Sequence, residues 1–129
     1  MIALALLATA TTAVDLDALG AAVATCDRTV VNPAFSSEAA RRSEFMRVTY
    51  REQEAIVAQR RENAARRAAM RQQPDVAAAE AALAQAEAAI EERQRALNDQ
   101  RLLEGLRREA MDSMRHHFLQ NCPAGKPKN

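Results

Sequence analysis

Two cysteines, Cys26 and Cys122, and two adjacent histidines, His116 and His117, are the side chains of this sequence best suited to covalent or metal chemistry. Thiolate and imidazole are the usual ligands of a tetrahedral zinc site, so Cys26, His116, His117 and Cys122 form a conceivable four-ligand set. Their spacing argues against it. Neighbouring residues on a helix point about 100° apart, so only one of the two histidines readily faces a given site, and no closely spaced ligand pair accompanies them. In an oxidising compartment two thiols form a disulfide instead. Cys26 and Cys122 stand equally far from Pro74, 74 − 26 and 122 − 74 both being 48. A helical hairpin bent at Pro74 would bring both sulfurs to its open end, and the expected linkage is therefore Cys26 to Cys122.

Two further groupings suggest chemistry and are weaker. Ser113 and His117, like Asp112 and His116, are four residues apart on one helical face and resemble a nucleophile with its base. Such pairs arise on any polar helix, and nothing in the composition supplies a pocket or an oxyanion hole, so the expectation is a protein without catalytic residues or cofactor. Arg60, Arg67 and Arg71 fall near one face at i, i+7 and i+11 and could meet an anionic head group, polysaccharide or acidic peptide. The plainer reading is a solvated face with its own glutamates nearby. Nucleic acid is not expected, because the net charge is only +1 and no aromatic side chain is interleaved for base stacking.

The elements that must position these residues are helical. With three Phe, one Tyr and no Trp, the chain lacks the side chains that fill a thick core. Alanine, glutamate, glutamine, arginine and leucine, all strong helix formers, dominate instead. Asp15 is placed to cap a first helix over 15–28, with Leu16, Leu19, Val23 and Cys26 on its apolar face. Pro33 should break the chain, and Ser36 or Ser37 should cap a second helix over 36–72. Pro74 marks a turn, followed by a third helix over 75–119. In that helix Val76, Leu83, Ile90 and Leu97 recur every seven residues, half of a coiled-coil seam. Beyond Leu97 the stripe leaves that register for Leu103, Leu106, Ala110, Met114 and Phe118, with Gly105 inside the shift as the expected site of a local bend.

The fold expected is all-α: an elongated, Ala-rich, coiled-coil-like antiparallel two-helix hairpin with a short N-terminal helix, its base closed by a disulfide. The two long arms are complementary in charge. Residues 36–73 hold nine Arg and five Glu, whereas 75–119 hold six Arg and nine Asp or Glu. The first thirteen residues, apolar and small, resemble the core of a secretory signal peptide with cleavage after Ala10 or Ala13, although no Lys or Arg precedes them. This predicts a periplasmic or secreted protein whose single domain covers 15–122, with a flexible tail at 123–129. The run is too short to span a bilayer; contact with a membrane surface is left open.

Few large apolar side chains on the first arm match the seam on the second, so the Val76, Leu83, Ile90 and Leu97 stripe is expected to meet a second copy or a partner helix. The function read from this is non-enzymatic, through protein contacts. In layout, the apolar leader, the long hairpin and the Arg-rich first arm resemble periplasmic holdase chaperones of the Skp type. That resemblance implies client or envelope-anion binding along the basic arm. The chain departs from that family in having no strands for its trimeric body and in its cysteine closure.

Overall fold

The structure, a computed structural model, describes residues 14–124. Three helices make up the fold: α1 (Leu16–Ala24), α2 (Arg28–Met70) and α3 (Ala77–Asn121). No strand occurs among the described residues. The leader segment and the last five residues lie outside them, so the cleavage sites and most of the tail are not described. The chain divides into two compact units. One takes in the chain up to Arg42 and from Arg108 onward, and the other is Ser43–Arg107. The first contains the disulfide and is called here the stapled unit; the second is the hairpin unit.

The stapled unit depends on how α1 stops. The amide of Cys26 donates to the Val23 carbonyl and that of Asp27 to the Ala22 carbonyl, at 3.2 and 2.8 Å. This pair of bonds is the Schellman arrangement, which needs a left-handed residue just past the helix. Cys26 fills that place with φ 54°, where glycine is the usual occupant. The sequence placed Cys26 on the apolar face of a longer helix. In fact α1 ends at Ala24, and Cys26 is exposed while Cys122 is buried. The two are joined by a disulfide with Cα atoms 5.5 Å apart across 96 residues.

The expected break at Pro33 does not occur, because α2 begins eight residues before Ser36. Asp27 is its cap: the carboxylate accepts from the Thr29 amide at 3.0 Å and from the Thr29 hydroxyl at 2.6 Å. That second contact, together with the backbone amides of Thr29 and Val30, holds the Asp27 carboxyl below its ordinary range. Pro33 then lies inside the helix. It cannot donate to the Thr29 carbonyl, yet its neighbours Val31 and Ala34 are buried in the core, and that packing holds the helical path. Ser36 and Ser37 cap nothing; their hydroxyls bond back to the carbonyls of Pro33 and Ala34, each at 3.2 Å.

Leu19, Ala22 and Val23 of α1, Val31 and Ala34 of α2, and Met111, Phe118 and Cys122 at the end of α3 form the core of the stapled unit. Phe35 packs at 54° to Phe118 with 6.4 Å between ring centroids. Arg28 lies 5.1 Å over the Phe118 ring and donates to the Cys122 carbonyl, so one cation covers an aromatic face and an unpaired helix terminus. Buried Glu38 accepts from Arg41 and Arg42, and Arg42 reaches on to Asp112 at 2.9 Å. Asp112 first, then Glu38, raises Arg42 above the ordinary guanidinium value.

The hairpin unit is α2 and α3 run back to back, with the connection at 71–76 containing Pro74. Pairs along one side of it fall with one number as the other rises: Gln53 with Gln94, Arg60 with Glu91 and Arg67 with Glu87. The two helices of the pair are therefore antiparallel. Asp75, at φ 56°, carries the chain through the turn. The core is thin: Ile56 packs with Ile90 and Leu97, and Leu83 is buried as well.

The seven-residue repeat does not shift after Leu97. It continues through Glu104, Met111 and Phe118, all buried, while Leu103 and Leu106 face solvent at 65% and 55% exposure. An acidic residue at the Glu104 position hid the register. On α2 the matching repeat is Thr49, Ile56 and Asn63, again buried, with two of the three polar. Helix α3 runs unbroken through Gly105, where an added Cβ would meet nothing within 4 Å.

Candidate interaction surface

The residues singled out for chemistry are not brought together as a reactive site. Both cysteine sulfurs are consumed in the disulfide and offer no thiolate to a metal, and no group of three or more metal-ligating side chains occurs among the described residues. His116 and His117 are exposed. The Asn121 amide nitrogen sits 3.2 Å from His117 Nδ1 and donates to the His117 carbonyl at 2.9 Å. Asp112 is engaged by Arg42 rather than by His116. A shallow groove of about 380 Å³ near the turn is lined by Arg66, Ala69, Met70, Ala79, Ala82 and Leu83, none of which is a nucleophile or a general base near neutral pH.

The three arginines proposed for anion contact have separate fates. Arg60 holds Glu91, with Nη2 to Oε1 at 2.9 Å, and Arg67 holds Glu87, with Nε to Oε1 at 3.1 Å. Glu87 raises the Arg67 guanidinium above its ordinary value. Arg71 lies beyond the end of α2 and is exposed. Two of the three positive charges are thus spent on the opposite helix. They set the register of the hairpin, each exposed pair contributing about 0–1 kcal/mol.

The seam expected to receive a partner is also occupied. Leu83, Ile90 and Leu97 are at most 5% exposed, with Ile56 of α2 against the latter two, and Val76 is half-buried. The sequence showed few large partners on α2 because Thr49 and Asn63 hold its seam positions, yet the seam closes within the chain. The large apolar side chains that stay exposed lie elsewhere in the hairpin unit. Met46, Val48, Tyr50 and Val57 on α2 and Leu102, Leu103 and Leu106 on α3 are all exposed, Tyr50 at 63%.

These side chains sort onto two edges of the hairpin. Gln53, Arg60 and Arg67, seven residues apart, make the polar pairs of one edge, and Met46 is the next member of that series, with Tyr50 and Val57 beside it. Leu103 belongs instead with Ala82, Ala89 and Ala96, again seven apart; Ala82 and Ala89 line grooves on the other edge. Leu102 and Leu106 extend that second patch over the outer face of α3. Leu103 and Leu106 were visible in the sequence as apolar, but they were assigned to the seam stripe rather than to the surface. No helix of the described residues is long and apolar enough to cross a membrane. No protein-family model, curated protein or solved structure matches the chain.

Proposed function

We propose that this is an exported, non-enzymatic helical protein that acts through protein–protein contacts made by its hairpin unit. The observation that carries the reading is the distribution of large apolar side chains in that unit. Four, Ile56, Leu83, Ile90 and Leu97, are buried, while seven, Met46, Val48, Tyr50, Val57, Leu102, Leu103 and Leu106, stand exposed on two edges. A rimmed apolar surface of this kind on a protein whose own core is closed is the signature of a docking face. Export is supported by the Cys26–Cys122 disulfide, which persists in oxidising compartments, and by the apolar leader in the sequence. Envelope-anion or client binding through the arginines draws on less free charge, since Arg60 and Arg67 already hold Glu91 and Glu87.

Photo-crosslinking in the living cell tests this reading. A photoreactive phenylalanine analogue at position 50 or 103 is expected to give discrete covalent adducts, whereas the same group at exposed Asp17, in α1 of the stapled unit, gives few. Absence of adducts at both apolar positions would remove the support for contact-based function. Non-reducing mass spectrometry of the same preparation reads the processed N-terminus and the linked cysteine peptide, and an uncleaved chain with free thiols would remove the export half.

A further inference from the structure

We infer that the Arg71–Gln72 bond is a processing site for an endoprotease that cleaves after a basic residue, and that the cut molecule persists as a disulfide-linked two-chain protein. This goes beyond the contact-based function and does not depend on it. The site is the exposed connection between α2 and α3, and the link is Cys26–Cys122.

A protease of this class seats the substrate arginine in a pocket with a carboxylate at its base, and it binds the chain around the bond in an extended form. Both requirements single out Arg71. Every other arginine of the described residues lies within α2 or α3, where the backbone must first unwind locally before it can be bound in that way. Arg71 stands just past the last residue of α2, and residues 71–75 are all exposed and outside any helix. Exposed connections of this kind are where chains are preferentially nicked. The Arg71 guanidinium enters no ion pair among the described residues, whereas Arg66 and Arg67, a turn earlier, hold Glu62 and Glu87. Arg28, the first residue of α2, is held over the Phe118 ring and on the Cys122 carbonyl.

The backbone beyond Arg71 suits cleavage as well. Pro74 disfavours the α region for Gln73, so this stretch does not continue α2. The Gln72 amide, which supplies the nitrogen of the bond to be cut, donates to the Ala69 carbonyl at 3.4 Å, and the Gln73 amide donates to the Met70 carbonyl at 3.1 Å. These are turn bonds, the first of them long, and extension across the site has to open them.

Hydrolysis consumes one water and no other co-reactant. The hydroxyl goes to the Arg71 carbonyl carbon and a hydrogen to the Gln72 nitrogen, leaving a carboxylate at Arg71 and an amine at Gln72. Each product keeps one cysteine, Cys26 in 1–71 and Cys122 in 72–129. The same disulfide then changes from a loop closure into a link between chains. The cut spares the contacts of Ile56 with Ile90 and Leu97 and the pairs of Arg60 with Glu91 and Arg67 with Glu87. Separation of the two chains therefore becomes conditional on reduction.

The test is mass spectrometry, with and without reductant, of the protein recovered from the cells that make it, with protease inhibitors present from lysis onward. The expected result is one unreduced species heavier by one water than the intact chain with the same ends. After reduction it should give two peptides, one ending at Arg71 and the other beginning at Gln72. Arg71→Gln made in the same cells should remain a single chain with unchanged helical circular dichroism. Sparse trypsin added to uncut, disulfide-intact protein should make its first cut between the cysteines after Arg71, and Arg71→Gln should slow the first such cut by about tenfold or more. A single uncut chain from the cells would overturn the processing, even where trypsin selects Arg71. A first cut elsewhere between the cysteines, or equal cutting of Arg71→Gln, would overturn the site. Fragments that part without reductant would overturn the two-chain product.

Discussion

Removing the Cys26–Cys122 bond should cost this fold a large part of its stability, and the residue left at position 26 should decide how much returns. The bond closes 96 residues of chain. In the chain-entropy model a loop near that size is worth about 4.7 kcal/mol at 25 °C. For a chain of this length, roughly 4 °C of melting temperature accompanies each kcal/mol, so reduction should lower the transition by about 15–20 °C. A second, smaller effect is opposite in sign at one position. Cys26 is at φ 54°, and a side chain with a Cβ in the left-handed region costs about 1–2 kcal/mol relative to glycine there. Glycine gives back about 0.4–1 kcal/mol by loosening the unfolded chain. With Cys122→Ala as a common background, Cys26→Gly should therefore be more stable than Cys26→Ala by about 0.5–1 kcal/mol. Exposure of Cys26 keeps burial out of the comparison. Urea titrations and thermal melts followed by circular dichroism, with reduced wild type alongside, measure all three species. If Cys26→Ala equals or exceeds Cys26→Gly, the Schellman reading of the α1 terminus is wrong. If reduction moves the midpoint by less than about 5 °C, the loop-entropy argument fails for this fold.

Further outcomes follow from single contacts. Ile56 is 0% exposed at the centre of the thin hairpin core, and Ile56→Ala should cost about 2–4 kcal/mol in urea unfolding, where the same change at exposed Val57 costs little. Gly105 has open space where a Cβ would go, so Gly105→Ala should stabilise by up to about 1 kcal/mol through helix propensity. Pro33→Ala restores a donor to the Thr29 carbonyl and should raise the melting temperature; a fall would show that the ring itself packs usefully against the stapled core. The Asp27 carboxyl is held below its ordinary value in the fold, so its contribution is present above that value and lost as pH falls through the depressed one. Asp27→Asn keeps an N-cap without the titration, and the difference in stability between the two proteins should shrink as pH drops from 6 toward 2; a difference that stays constant would refute the assignment.

Most of the architecture was legible because helices and hairpins are written in local spacing. Asp15 and Pro74 marked where a helix begins and where the chain turns, and the equal distances of Cys26 and Cys122 from Pro74 identified the linked pair. What was not legible came from polar residues standing at interior positions. Glu104 interrupts the apolar repeat of α3 and made a continuous register look like a shift, so Leu103 and Leu106 were read as core when they are surface. Thr49 satisfies its hydroxyl on the Phe45 carbonyl at 2.9 Å, and can therefore occupy a seam position that no apolar pattern would reveal. The start of α2 was missed for a related reason. Asp27 is both the residue that closes the end of α1 and the cap of α2, so no loop separates the two helices and Pro33 is carried inside the second.

The same polar interior gives the clearest physical argument for a partner. A hairpin selected to stand alone would place its large aliphatic side chains at Thr49, Asn63 and Glu104, where burial is already complete, and leave polar groups outside. This one does the reverse. Each leucine moved from solvent to an interior is worth about 1.5–3 kcal/mol, so the three at 102, 103 and 106 represent stabilisation that the isolated chain does not collect. The exchange has a direct test in Asn63→Leu combined with Thr49→Val, which should raise the stability of the chain in urea unfolding. It should leave crosslinking at positions 50 and 103 unchanged, because Thr49 and Asn63 are buried while Tyr50 and Leu103 are exposed. If the filled seam instead weakened crosslinking, the exposed side chains and the seam would be one coupled surface, and the separation of interior from interface argued from their exposures would be wrong.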